Sequence, residues 1–384
     1  MSEKIRIGVV GCGQFMSRQH IQTIVRNENL SLYYLADQDR QRLEQVSSFY
    51  KPHKTTTQWQ DVVEDQDVDI LVAGIVPKFH PDIVKAALEK RKPVYIEKPL
   101  SENLADGKTI QKLSGQYDVP VAVGFNRRFA PATQYMKKTF QSANRPITIF
   151  YRICDDDRIR PPSQNWKKQD RLLIEIVHIF DLLYYLIQAE PVSIYAVESR
   201  FNDALITIKF SDNSNATILS SSWGSLAQPK ERMEAILDRA SVEMDDFVEV
   251  RSYGNISLSA KQCFPGRAYD RCDNSHVEAF ASDGWAAMLK LRQFYYRAMR
   301  ESGVLKDSAN TQSWEKAKEL LGDPPVPQIN YTSDKGWGFA LEEFCERVIK
   351  KEKPTNAGPV DSNRTIACAI AARSSIETGK PVVL

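Results

Sequence analysis

The sequence predicts an α/β chain of two domains. Residues 1–126 read as a doubly wound parallel sheet, and residues 127–384 as an α+β domain with a mostly antiparallel open sheet. Three observations carry this. From Lys4 to Phe125, apolar runs of strand length alternate with amphipathic stretches of helical length. The first run ends in two glycines, Gly11 and Gly13, just ahead of a helical stretch. From Pro191 onward, strand-like alternation is broken by turn formers such as "SDNSN" and "SYGN".

Taken in order, "IRIGVVG" is the first strand and Gln14 to about Val25 the first helix. "LSLYYLAD" then precedes a helix through "RQRLEQVSSFY", and "VDILVAGIV" one through "HPDIVKAALEKR". "PVYIE", a helix near "SENLADGKTIQKLSGQ" and "VPVAVGF" complete the series. Strands apolar on both faces and separated by helices suit a parallel sheet covered on both sides. In the second domain, "RLLIEIVHIFDLLYYLI" is a long apolar helix. "PVSIYAVES", "ALITIKFSDNSNATILSSSW", "RMEAILDRASVEMDDF" and "VEVRSYGNISLS" follow as antiparallel strands. An atypical insert occupies about 258–333, with one amphipathic helix, "WAAMLKLRQFYYRAMRES", and the proline-rich "GDPPVPQ".

The 384 residues are enough for two cores, and 42% hydrophobic with 26% charged residues is ordinary for a globular chain. Basic residues number 51 and acidic residues 49, well mixed, so neither nucleic acid nor a membrane surface is expected as a partner. No apolar run approaches the ~20 residues that span a bilayer. Scattered cysteines without a CxxC pair fit free thiols in a reducing cytoplasm, and the histidines lack metal-ligand spacing.

Gly11 suits a tight strand-to-helix turn. Gly13 would let backbone N–H groups approach a pyrophosphate at the helix N-terminus. Met16 stands where the dinucleotide fingerprint has its third glycine, which either loosens the strand–helix contact or is absorbed by packing. Asp37, at the end of the second strand, is placed for a ribose 2′-hydroxyl and would repel a 2′-phosphate. NAD is therefore expected ahead of NADP, which Arg40 and Arg42 nearby keep open. In "KPVYIEKPLS", Glu97 and Lys98 end an apolar strand at the edge where such sheets bind ligands. Pro99 biases Lys98 toward an extended conformation, with a cis or trans bond left open.

With "PKFH" at Pro77 to His80, "EKPL" at Glu97 to Leu100 and "GFNRRFAP" at Gly124 to Pro131, the chain resembles the Gfo/Idh/MocA family. These are the relatives of glucose–fructose oxidoreductase and inositol dehydrogenase. The resemblance implies a Rossmann domain that holds the cofactor through Gly11, Gly13, Gln14, Phe15, Asp37, Pro77, His80, Glu97, Lys98 and Asn126. Lys78 stands where the family commonly has asparagine. It further implies that Lys98 sits beside the nicotinamide and the reacting hydroxyl, and that the last helix, "TIACAIAARSSIETGKPVVL", returns to the first domain. A homo-oligomer, dimer or tetramer, through the second domain's sheet is implied as well.

Glu175, His178 and Asp181 interrupt the apolar helix at i, i+3 and i+6, an arc of about 120°. Ionisable groups on one side of a buried helix need partners or a polar cleft. In the resembled family a histidine on this helix is the usual acid–base residue, which assigns that role to His178. Either Glu175 or Asp181 would fix its tautomer. Arg128, Asp155, Asp156, Asp157, Arg158, Arg160, Asn165 and Trp166 are candidates to line a pocket for a small hydroxyl-rich carbohydrate or polyol.

The expected chemistry is hydride transfer between NAD and a secondary alcohol of a sugar, sugar acid or cyclic polyol. His178 would take the proton, and Lys98 would stabilise the developing oxyanion. Two alternatives are an NAD-retaining glycosidase working by transient oxidation and elimination, and a non-catalytic dinucleotide-binding regulator.

Overall fold

A computed structural model of the chain describes residues 4–156, 169–225, 227–254, 257–267, 281–307, 309–321 and 332–384. Two compact units result: Met1–Phe129 with Gly336–Ala367, and Ala130–Lys335 with Cys368–Leu384.

The first unit is built on six parallel strands: β1 Ile5–Val10, β2 Leu30–Ala36, β3 Lys54–Thr56, β4 Ile70–Ala73, β5 Val94–Ile96 and β6 Val121–Val123. Their spatial order is β3-β2-β1-β4-β5-β6, which reverses direction between β1 and β4. Ligands of such sheets sit beyond the carboxyl ends at that reversal. β4, β5 and β6 are buried at every position, as strands covered on both faces must be. Ile7, Val9, Leu35, Val72 and Tyr95 form a core with Leu341 and Phe344 of the helix Trp337–Ile349.

Five of these strands follow the apolar runs. The sixth, β3, carries no such signal. "KTT" is an edge strand with little burial, so its residues owe nothing to a core.

Among the described residues the second unit holds a nine-stranded sheet. β7 Thr148–Cys154, β8 Pro191–Arg200, β9 Asp203–Phe210, β10 Asn215–Ser221 and β11 Glu231–Leu237 come first. β12 Ala240–Asp245, β13 Glu249–Tyr253 and β14 Lys261–Cys263 extend the sheet, and β17 Val382–Val383 closes its far edge. All pairs are antiparallel except β7 with β10. Period-two burial is clean in β9, where Ile206 and Ile208 face inward and Leu205 and Thr207 outward.

The insert begins by adding β14 to the sheet. Its helix Trp285–Ser302 then packs Ala287 and Met288 onto Val248, and Arg292 pairs with buried Asp246 at 2.8 Å. A helix Thr311–Leu321 lies against it around Met299 and Ala317. Two short strands of this region, β15 Gly266–Arg267 and β16 Thr332–Ser333, pair with each other. Among the described residues no helix is long and apolar enough to cross a membrane.

Candidate functional site

At the end of β1 the chain turns through Gly11, whose φ of +89° is left-handed and whose missing Cβ leaves room for the Gly74 carbonyl. Gly13 follows at the head of a helix running from Gln14 to Arg26 in three segments, Gln14–Met16, Ser17–Ile21 and Gln22–Arg26. A Cβ at Gly13 would meet no heavy atom within 4 Å. The space over this turn is open, as a pyrophosphate requires. Met16 is buried, and its sulfur fills the room that Gly74 leaves by lacking a side chain. The missing third glycine is thus compensated from β4.

Asp37, 7% exposed, closes the turn. Its carboxylate accepts from the backbone N–H groups of Cys12 and Asp39 at 2.9 Å each, and Arg42 reaches both oxygens at 3.3 Å. Burial, and then this carboxylate, push the Cys12 thiol well above its ordinary range, so the turn adds no anion beside a diphosphate. Next to Asp37 in the chain, Gln38 lines an open surface depression with Arg40, Thr57, Gln58, Trp59 and Gln60. It suits the adenosine end of a dinucleotide. The residues present fit NAD.

Where β5 ends, Glu97 occupies a niche prepared by its neighbours. A Cβ at Gly124 would lie 2.6 Å from Glu97 Oε1, and one at Gly74 would press on Glu97 Cγ. His20 Nε2 lies 2.7 Å from Oε1, and the Lys98 N–H donates to Oε2 at 3.3 Å. Lys98 is half-buried, and the Lys98–Pro99 bond is cis.

His80, assigned by resemblance to the cofactor, is fully buried. Its Nδ1 lies 2.7 Å from the Pro99 carbonyl and its Nε2 3.1 Å from that of Ile75. It supports the Lys98–Pro99 turn from inside, and burial, the strongest influence, holds its ionisation below the ordinary value. Pro77 lies in a short 3-10 turn, Pro77–Phe79, where the exposed Lys78 ammonium rests 4.7 Å from the Phe79 ring centre. Gln14 and Phe15 are exposed beside the turn, whereas Asn126 is buried after β6. Arg128 is also buried and pairs with Asp361 at 3.0 Å. That arginine, expected on substrate, anchors the start of the helix Pro359–Thr378.

In the second unit, Glu175 lies in a π-helical segment, Leu172–Ile176, that runs into the α-helix Val177–Ile187 bearing His178 and Asp181. His178 is 6% and Asp181 1% exposed. Lys230, just before β11, lies 3.0 Å from Glu175 and 3.2 Å from Asp155, and Arg171 lies 2.7 Å from the other Asp155 oxygen. Burial opposes the charge on Lys230 most strongly. The carboxylates of Asp155, Glu175 and Glu231 outweigh it, so the ammonium is held above its ordinary range. Asp156 is also buried and accepts from Tyr296 of the insert helix at 3.3 Å. The "DDD" run therefore starts inside the protein, paired, rather than as a solvated turn.

Asp157, Arg158, Arg160, Asn165 and Trp166 lie outside the described residues. His20, Gly74 and Lys230 escaped the sequence reading. None has a local signature, and each gains meaning only from a partner distant along the chain.

Residues 5–125 match the family described as "Oxidoreductase family, NAD-binding Rossmann fold", Gfo/Idh/MocA. An uncharacterised oxidoreductase, YrbE, of Bacillus subtilis is 23% identical over 64% of this chain and 75% of its own length. The myo-inositol 2-dehydrogenase of Thermotoga maritima is 26% identical over 50% of this chain and 58% of its own length. A structure of myo-inositol dehydrogenase from Lactobacillus casei, in complex with NAD(H) and myo-inositol, superposes with a TM-score of 0.69 at 15% identity. It covers 99% of this chain and 97% of that one. At that identity the likeness is one of fold.

Proposed function

We propose, from the premise that residues 5–125 are the NAD-binding domain of a Gfo/Idh/MocA oxidoreductase, that the chain is a dehydrogenase of a hydroxyl-rich carbohydrate or polyol. Its substrate is a secondary alcohol of a sugar, sugar acid or cyclic polyol. One observation carries the reading. The open turn at Gly13, the carboxylate of Asp37 and the ammonium-bearing residue Lys98 all stand at the carboxyl ends of strands of one parallel sheet. Relatives that act on inositol give the substrate class.

NAD, when bound, accepts or supplies the hydride. The protein's own groups handle the proton and the charge. Lys98 polarises the alcohol oxygen and stabilises its developing negative charge. His178 takes the hydroxyl proton, because an alcohol releases hydride readily only as that proton leaves. Glu175 orients the polar face of the His178 helix while Lys230 and Asp155 hold it in place. NAD is preferred over NADP because Asp37 would oppose a 2′-phosphate. Arg42, already bound to Asp37 and Asp39, offsets that repulsion only in part.

We further propose that the chain forms homo-oligomers through the outer face of the second unit's sheet. Phe150, Tyr195, Val197, Leu205 and Ile236 support this, each between 41% and 53% exposed and spread over four strands of the sheet, β7, β8, β9 and β11. Contiguous apolar surface of this kind marks interaction sites.

The test follows absorbance of NADH over a panel of inositols, sugars and sugar acids, with wild type, Lys98→Met and His178→Asn. At least one polyol should be oxidised by wild type. Each variant should lose on the order of 100-fold or more in kcat, and His178→Asn should still bind NADH as wild type does. Variants that stay fast would remove these two residues from the chemistry. Cleavage of aryl glycosides without net NADH formation would replace the dehydrogenase reading with the eliminating glycosidase.

A further inference from the structure

His20 is fully buried in the π-helical turn Ser17–Ile21 of the helix behind the phosphate-binding turn. Insertions of this kind re-aim a side chain, and they recur at functional sites. Here the side chain reaches out of the helix to Glu97 at the end of β5, 2.7 Å from Nε2 to Oε1. The ring cannot turn away, because Phe15 and Tyr95 clamp it edge-on with ring centres 5.6 and 5.2 Å distant.

With its proton on Nε2 the imidazole donates to the carboxylate. Nδ1 is buried and has no hydrogen-bond partner among the described residues, so Glu97 is the partner the ring is held for. Glu97 is equally constrained. Gly74 and Gly124 leave just the space it fills, and its other oxygen accepts the Lys98 N–H.

The pair therefore ties together two elements that a dinucleotide must contact at once. The helix carries the pyrophosphate site at Gly13, and β5 presents Lys98 to the nicotinamide end. A hydrogen bond to a carboxyl group at this distance, shielded from water, is stronger than an exposed one. We propose that His20 is a positioning residue for the cofactor. By bracing the glycine-turn helix against Glu97, it fixes the span between Gly13 and Lys98 that bound NAD must match. The inference rests on the NAD reading of the first unit and is independent of which alcohol is the substrate.

The test compares NADH with ADP, which shares the adenosine diphosphate half but has no nicotinamide. NADH binding is followed by energy transfer from tryptophan and ADP binding by calorimetry. Three chains are used: wild type, His20→Phe, which keeps a ring but loses the donor, and His20→Gln, which restores an amide N–H. In His20→Phe the Kd for NADH should rise about tenfold, roughly 1.4 kcal/mol, with the Kd for ADP unchanged. His20→Gln should recover most of the loss. Should His20→Phe fail to fold by circular dichroism, His20→Asn, too short to reach Glu97, takes its place with the same expectation.

Equal weakening of both nucleotides, no weakening of either, or a glutamine variant no better than phenylalanine would overturn the proposal. A wild-type chain that bound neither nucleotide would instead remove the cofactor premise itself.

Discussion

His80 shows how much a single side chain's meaning depends on what surrounds it. Its place in "PKFH" suggests a ligand contact, yet it faces two carbonyl groups in the interior. Because burial depresses its ionisation below the ordinary 6.5, the unfolded chain binds a proton that the folded chain resists as the pH drops. The stability this residue contributes is therefore complete above 6.5 and is lost as the pH falls below it. Urea unfolding midpoints measured either side of 6.5 should fall on the acid side in wild type. His80→Gln, which can still donate to a carbonyl, should fall less. Parallel curves for the two chains would show that His80 does not carry that pH dependence. Lys230 teaches the opposite lesson. A lysine in "QPKERM" looks like surface, but the buried Asp155 and the half-buried Glu175 flank it.

Strand ends and helix starts carry most of the site. Two helices depart from regular α geometry, at Ser17–Ile21 and Leu172–Ile176, and each irregular turn bears a charged or titratable site residue, His20 or Glu175. Sequence periodicity found both helices. It could not find the extra residue per turn, because the pitch changes only where a distant partner rewards it. The glycines at the ends of β4 and β6 behave the same way. Gly124 reads as part of a motif, but its physical reason is the Glu97 carboxylate 2.6 Å from a would-be Cβ. That oxygen is held by His20 and cannot yield without breaking a buried hydrogen bond. Gly124→Ala is expected to cost about 1–3 kcal/mol by overpacking and to weaken NADH binding together with stability. Thermal unfolding paired with an NADH titration checks this, and an alanine variant indistinguishable from wild type would mean the niche is slack.

For the whole molecule, the second unit's sheet is the feature with most at stake. Its inner face is filled by Ile194, Ile206, Ile218 and Met233, while its outer face leaves Val197 and Leu205 paired side by side in register and exposed. At about 25 cal/mol per Å², covering such a face with a second copy is a substantial driving force. Light scattering coupled to size exclusion should find a dimer or tetramer. The double variant Leu205→Glu with Ile236→Glu should shift it toward monomer while circular dichroism stays unchanged. A wild-type monomer at tens of micromolar would rule this face out as a self-contact.

Periodicity and turn chemistry alone determined the α/β architecture, five of the six parallel strands, the first helix of the insert and the glycine turn beside Asp37. Each of these rests on near neighbours in the chain, or on a burial pattern that repeats every two or three to four residues. The remainder was decided by the tertiary structure: Met16 filling the space at Gly74, His20 reaching Glu97, Arg128 spent on Asp361, and Lys230 closing the ring of charges at Asp155 and Glu175. Those pairings join residues far apart in sequence. A buried charge or a missing Cβ takes its energy from whatever the fold sets against it, and no local pattern records that partner.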